Sequence, residues 1–239
     1  MDIVTWHRKD GIAIIEMCSG ANRHNLEFAE QMNRCLDQVL EDQGCFSIVL
    51  TSSDEKNFSQ GIDVEWLGQR FAQKDFQTVK TFMYGINRIF KRLLLMPIPV
   101  IAAINGHAFG NGAIMSCACD FRFMKKDRGF FCFPEVDVNI PFLPGMIAFV
   151  RKAVPEPVFN EMILSGKRMT ASELEKGQVI LKACENQEDL MARALEYAST
   201  FNKPRPIFGE LKKRMHKDII RVIDQEDPEF IEPLNLMVS

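Results

Sequence analysis

The chain has 239 residues, 46% hydrophobic and 26% charged, which excludes a disordered protein and leaves room for one globular domain with a substantial core. A formal charge of −3 provides no basic footprint, so no nucleic-acid partner is expected despite the local cluster Lys212-Lys213-Arg214. Seven scattered cysteines with no C-x-x-C pair predict reduced thiols in place of a disulfide frame or zinc site, and no apolar stretch reaches spanning length; a cytoplasmic protein with no membrane partner and no metal is the expectation.

In chain order, Ile3 to Trp6 and Ile12 to Met17 flank Lys9-Asp10-Gly11, the turn chemistry of a β-hairpin. Asn25 is placed to cap a helix through Glu41, with Phe28, Met32, Leu36, Val39 and Leu40 at helical spacing. Phe46 to Thr51 reads as a short buried strand, followed by a polar loop from Ser52 to Gly61, a helix capped by Asp63, and an amphipathic helix over 75–95. Val100 to Ile104 is too continuously apolar for a strand with one wet face, so it predicts a buried strand, with Asn105-Gly106 as its turn. Gly110-Asn111-Gly112 then opens a second apolar run as helix, where free N–H groups attract negative charge. Strand and helix alternate as in an α/β architecture with right-handed crossovers.

Past Asp120, strands are predicted at Phe121 to Met124 and Gly129 to Phe133, and short helices at Met146 to Val154 and Pro157 to Leu164. A capping box at Thr170-Ala171-Ser172-Glu173, a last strand at Val179 to Lys182, and helices at Asn186 to Phe201 and Pro206 to Asp224 complete the pattern. Cys117 and Cys119 are expected to pack as small apolar groups. His7, His24, His107 and His216 lack metal-ligand spacing and read as loop or surface residues, and Lys212 and Lys213 as a solvated face.

Three segments each follow a predicted strand: Asn57 to Asp63, His107 to Gly112, and Phe133-Pro134-Glu135-Val136. Successive strand ends of a parallel sheet share one side, so the three are expected to converge on one crevice. Two loops presenting backbone N–H groups, with one carboxylate past an aromatic strand, would supply an oxyanion hole and a general base, a pairing suited to proton abstraction next to a carbonyl. The plainer alternatives are a tight turn for the glycine loop and a solvated strand-end carboxylate for Glu135; a dinucleotide fingerprint is weaker, because Met115 stands where its third glycine belongs.

In combination, KNFSQGIDVEWL, IPVIAAINGHAFGNGAIMSCACDF and FFCFPEVDVNIPFLPG resemble the successive signature blocks of the crotonase, or enoyl-CoA hydratase/isomerase, superfamily, over about residues 3–217. The resemblance implies an α/β fold: a crotonase-like spiral of β-β-α units over 1–190, then a helical C-terminal trimerisation region over 191–239, assembled as homotrimers or hexamers. It implies an acyl-CoA thioester substrate, with coenzyme A part of the substrate and no separate cofactor. It puts the two oxyanion-hole amides on Ile62 and Asn111, and CoA binding along Gln60, Gly61, Ile62, Asp63 and Val64 and in the loop at Gly110 and Gly112. Asn111 departs from the glycine common at that place.

Family hydratases use two glutamates, and this chain has Ile114 at the first position and Glu135 at the second. Adding water requires deprotonating it while another group handles the α-carbon proton, whereas moving a double bond requires one shuttle. The single-glutamate pattern is similar to Δ3,Δ2-enoyl-CoA isomerases. Glu135 would then take a proton from C2 and return it at C4, in a dry pocket of Phe131, Phe133, Pro134 and Ile114 that raises its pKa. The Phe142-Leu143-Pro144 segment and the helix near Phe82 are expected to close over the acyl chain. Hydration or thioester hydrolysis on Glu135 alone, and a non-catalytic acyl-CoA binder, are the competing readings.

Overall fold

Two consecutive residues with positive φ, Asp10 at 51° and Gly11 at 78°, make the tight turn that joins β1 (Val4–Lys9) to β2 (Ile12–Met17) as an antiparallel hairpin. The computed structural model describes residues 2–238. After β3 (Arg23–His24), the Asn25 side chain accepts the Phe28 N–H and starts α1 (Leu26–Glu41). Next come β4 (Ser47–Ser52), β5 (Asn57–Ser59), β6 (Gly61–Ile62), α2 (Val64–Ala72), α3 (Phe76–Leu95), β7 (Val100–Ile104), β8 (His107–Phe109) and α4 (Asn111–Ala118). The chain continues through β9 (Phe121–Lys125), β10 (Phe131–Cys132), α5 (Glu135–Val138), α6 (Pro144–Ala153), α7 (Glu156–Ser165), α8 (Ala171–Lys176) and β11 (Lys182–Cys184). It ends in the helices α9 (Gln187–Ser199), α10 (Arg205–Met215), α11 (Lys217–Gln225) and α12 (Pro228–Ile231).

Six strands form the main sheet in the order β1-β2-β4-β7-β9-β11, parallel beyond the opening hairpin. Val100, Ala102 and Ile104 of β7 face the large core with α1, α3 and α4, while Ile101 and Ala103 face Leu190, Ala194 and Ala198 of α9. Both faces of the strand are covered, which is why it reads as an unbroken apolar run. A second, parallel sheet, β10-β8-β5, and the parallel pair β3-β6 stand beside it.

The small strands are where expectation and structure differ. The segment 52–61, expected as a loop, contains β5 and the start of β6, and His107 to Phe109 is a strand. The strand expected over Gly129 to Phe133 shortens to two residues, the last strand slides to Lys182–Cys184, and Glu135 opens a helical turn. Strands of two or three residues show no period of their own and are held by their neighbours' ladders. The helix expected over Pro206 to Asp224 breaks at His216, which is 3% exposed. Lys212 corrects the expected solvated face: it is 3% exposed and its Nζ donates to Asp120 Oδ2 at 2.7 Å and to the Leu93 carbonyl at 2.9 Å, so the half-buried Asp120 carboxylate and the buried ammonium neutralise each other. Lys213 is exposed.

Candidate active site

Gly61 brings two segments together. At φ +80° it has no side chain to accommodate; a Cβ there would stand 2.6 Å from the Phe109 carbonyl oxygen and 3.0 Å from the Asn111 amide nitrogen. The strand β6 can therefore lie directly against the entrance of α4. It pairs with β3 so that His24 stands opposite Ile62, and the Asp63 N–H donates to the His24 carbonyl at 2.9 Å. Successive amides alternate sides along a strand, so the Ile62 N–H is turned away from β3. Asp63 then caps α2 by accepting the Trp66 N–H, as expected.

The first helical hydrogen bond of α4 runs from the Ile114 N–H to the Gly110 carbonyl, 2.9 Å, which leaves the amides of Asn111, Gly112 and Ala113 without a helical acceptor. No side chain caps this end. The Gly110 N–H donates to the Cys132 carbonyl at 3.0 Å, which ties the end of β10 to the same loop and delivers Glu135 to it. Glu135 Oε1 lies 3.1 Å from where a Gly110 Cβ would stand, and Oε2 is buried without a hydrogen-bond partner. Burial pushes the carboxyl up to about 8; a hydrogen bond from its own backbone N–H opposes this only in part.

Ile62, Gly110, Asn111 and Glu135 line one cavity of about 250 Å³. Gln60, Val64, Ile114 and Pro134 line it too, as expected, but Gly61, Asp63 and Gly112 do not: they hold the site from behind. Phe131 and Phe133 are also fully buried behind it, with Phe133 packed edge-on against Phe142, which does line the cavity. Met83, in place of Phe82, reaches in from α3, with Phe142 and Leu143 opposite. Leu236 and Met237, unanticipated, form part of the wall; the Val238 N–H donates to the Asn139 carbonyl at 3.0 Å and fixes them there.

His24, read from the sequence as a loop or surface residue, is fully buried. Its Nδ1 lies 2.8 Å from Asn111 Nδ2 and its Nε2 2.9 Å from Ser59 Oγ, and its ring stacks on Phe28 with centroids 3.9 Å apart. Burial lowers its pKa to about 3, so the ring is neutral. A larger open groove between α3 and α10 has basic walls, but Arg88 and Arg92 pair with Asp37, Lys91 pairs with Asp224, and Arg205 donates to the Val39 and Leu40 carbonyls. Among the described residues no three His, Cys, Asp or Glu side chains converge to hold a metal ion, and no helix is long and apolar enough to cross a membrane.

Residues 7–227 match the model of the family described as enoyl-CoA hydratase/isomerase. The chain is 27% identical over 197 residues to enoyl-CoA delta isomerase 3 of Arabidopsis thaliana, covering 79% of this chain and 81% of that one. It is also 27% identical over 210 residues to the short-chain-enoyl-CoA hydratase of Clostridium acetobutylicum, covering 86% and 77%. The crystal structure of an enoyl-CoA hydratase from Bacillus halodurans superposes with a TM-score of 0.86 at 21% identity, over 96% of this chain and 94% of that one. With most of its length matched and the same spiral of strands and helices, the chain belongs to the enoyl-CoA hydratase/isomerase family, within the crotonase superfamily.

Proposed function

We propose that the protein is an enoyl-CoA isomerase that converts a 3-enoyl-CoA to the conjugated trans-2-enoyl-CoA, with Glu135 as its only proton shuttle. The observation that carries this reading is the unpaired, proton-holding carboxyl of Glu135 in a cavity whose other ionisable lining residue is Arg23, with Ile114 where a second acid would be needed for hydration. The thioester oxygen would lie between the N–H groups of Ile62 and Asn111, supported by the free amides at the start of α4. Charge moving onto that oxygen makes the C2 proton acidic. The Glu135 carboxylate removes this proton, the electron pair spreads over C1 to C4 as a dienolate, and the resulting carboxylic acid returns the proton at C4. No proton is gained or lost overall.

One oxyanion donor is typically worth roughly 10²–10³ in rate and a placed base roughly 10²–10⁴, so neither replaces the other. The CoA moiety, carried by the substrate, would run along Gln60 and Val64 at the cavity edge. Assembly as trimers or hexamers belongs to the same reading; α10 presents Ile207, Leu211 and Met215, four residues apart and all more than half exposed, as an apolar stripe for a neighbouring copy.

The test is the absorbance of the conjugated thioester formed from 3-hexenoyl-CoA, with wild type and Glu135→Gln. Wild type is expected to conjugate the double bond and the variant to lose roughly 10²–10⁴-fold in kcat. Accumulation of 3-hydroxyhexanoyl-CoA or free CoA, or binding without turnover, would replace this reading with one of its competitors.

A further inference from the structure

Asn111 carries a side chain where glycine is expected, and at 3% exposure its carboxamide has to find its partners inside the protein. Its Oδ1 is buried without a partner, and its Nδ2 finds one at the end of a line of buried groups whose polarity can be worked out from the other end. Ser59 Oγ lies 2.8 Å from the Asn22 carbonyl oxygen, a contact that only a donated hydroxyl proton makes favourable, so the single Ser59 proton is committed there. His24 Nε2, 2.9 Å from the same Oγ, must then carry the ring proton and donate it. The other ring nitrogen, Nδ1, is left as a bare acceptor and receives the Asn111 Nδ2 amide at 2.8 Å. Turning the carboxamide over would set its oxygen against that lone pair. At the far end the Asn22 side chain donates to Ser52 Oγ and the Phe58 carbonyl and accepts the Ser19 N–H, so the line is anchored.

The same histidine holds the other half of the site. Its carbonyl accepts the Asp63 N–H, and it is paired across the ladder with Ile62. Stacking on Phe28 at an interplanar angle of 12° fixes the plane of the ring. We propose that His24 is a positioning residue for the oxygen-binding amides: its backbone holds the strand of Ile62, its ring holds the side chain of Asn111, and together they set the separation of the two N–H groups. Asn111 and His24 are then a matched pair, and neither can lose its half of that hydrogen bond without moving the amides. This rests on reading the Ile62 and Asn111 amides as the pair that binds the thioester oxygen.

Four variants separate the contacts. His24→Asn keeps an acceptor near the position of Nδ1, His24→Gln keeps a donor near that of Nε2, and His24→Leu and Asn111→Gly remove one partner each. The first readout needs no ligand: ¹⁵N spectra of histidine-labelled protein. His24 is expected as the Nε2–H tautomer, with its Nδ1 resonance moving towards that of a free ring nitrogen in Asn111→Gly; the opposite tautomer, or no response to Asn111→Gly, would overturn the proposal. The second is the infrared stretch of hexanoyl-CoA labelled with ¹³C at the thioester carbon. In wild type and His24→Asn the bound carbonyl is expected well below its frequency in water, and in His24→Gln and His24→Leu much of that shift is expected to vanish. In an Asn111→Gly background, His24→Leu should change nothing further. On 3-hexenoyl-CoA, His24→Gln is expected to lower kcat roughly 10- to 100-fold with little change in KM.

Equal carbonyl shifts in all His24 variants would overturn the positioning role. A wild-type protein that binds hexanoyl-CoA with no carbonyl shift would instead overturn the amide-pair reading itself, and the positioning role with it, while the tautomer result would still stand.

Discussion

Glu135 holds its proton up to about pH 8, which makes it a stronger base than a surface glutamate once it is ionised. If it is the shuttle, kcat/KM should rise with pH through about 8 and level off above, and a profile flat from pH 6 to pH 10 would remove Glu135 from that role. The same shift acts on folding. The unfolded chain releases this proton near 4.5 and the folded chain near 8, so in between the folded state binds more protons and stability falls as pH rises. The favourable contribution is complete below about 4.5 and gone above about 8. Glu135→Gln should therefore be more stable than wild type at pH 9, by at most about 5 kcal/mol, and nearly equal to it at pH 4, in denaturant unfolding at the two pH values. The meeting of three segments at one cavity, with Glu135 on the third, was legible because each is a short glycine- or proline-bearing block after a strand, whereas Ile62 and Asn111 were singled out by the family resemblance. His24 was not: its partner Asn111 is 87 residues away, and no spacing rule registers a hydrogen bond across that separation.

Among the elements, α10 is held by one ion pair whose lysine is buried and whose aspartate is half-buried. Asp120 Oδ2 accepts both the Val100 N–H at 2.8 Å and the Lys212 ammonium at 2.7 Å, so one carboxylate connects the start of β7, the turn before β9 and the C-terminal helices. Breaking such a pair from one side leaves an uncompensated charge. Asp120→Ala is expected to cost about 3–5 kcal/mol, and Asp120→Asn with Lys212→Met to recover much of that, read from chemical denaturation; a loss below about 1 kcal/mol for Asp120→Ala would show that the pair does not hold the helix. The hairpin, α1, α3 and β7 were readable because their periods or turn residues are strong. The strands β5, β6, β8 and β10 are too short to carry a period, yet they are the ones that aim the site. Lys212 was misread for a related reason, since its neighbours on α10 are mostly exposed and only Asp120, 92 residues earlier, explains its burial.

For the molecule as a whole, the alternation of strand and helix was enough to indicate an α/β fold, but it did not mark the second, three-stranded sheet. A large parallel core with a helical C-terminal region leaves the stripe of Ile207, Leu211 and Met215 on α10 without a partner in the single chain. If copies of the chain associate through this stripe, Leu211→Glu reduces the mass measured by light scattering with helix content unchanged; an unaltered mass would show that the stripe is not a contact between copies. The wall formed by Leu236 and Met237 has a practical outcome. Those two side chains close one side of the cavity, so Leu236→Ala together with Met237→Ala should leave a folded protein with a wider mouth, and on the isomerase reading kcat/KM across enoyl-CoA chain lengths should flatten.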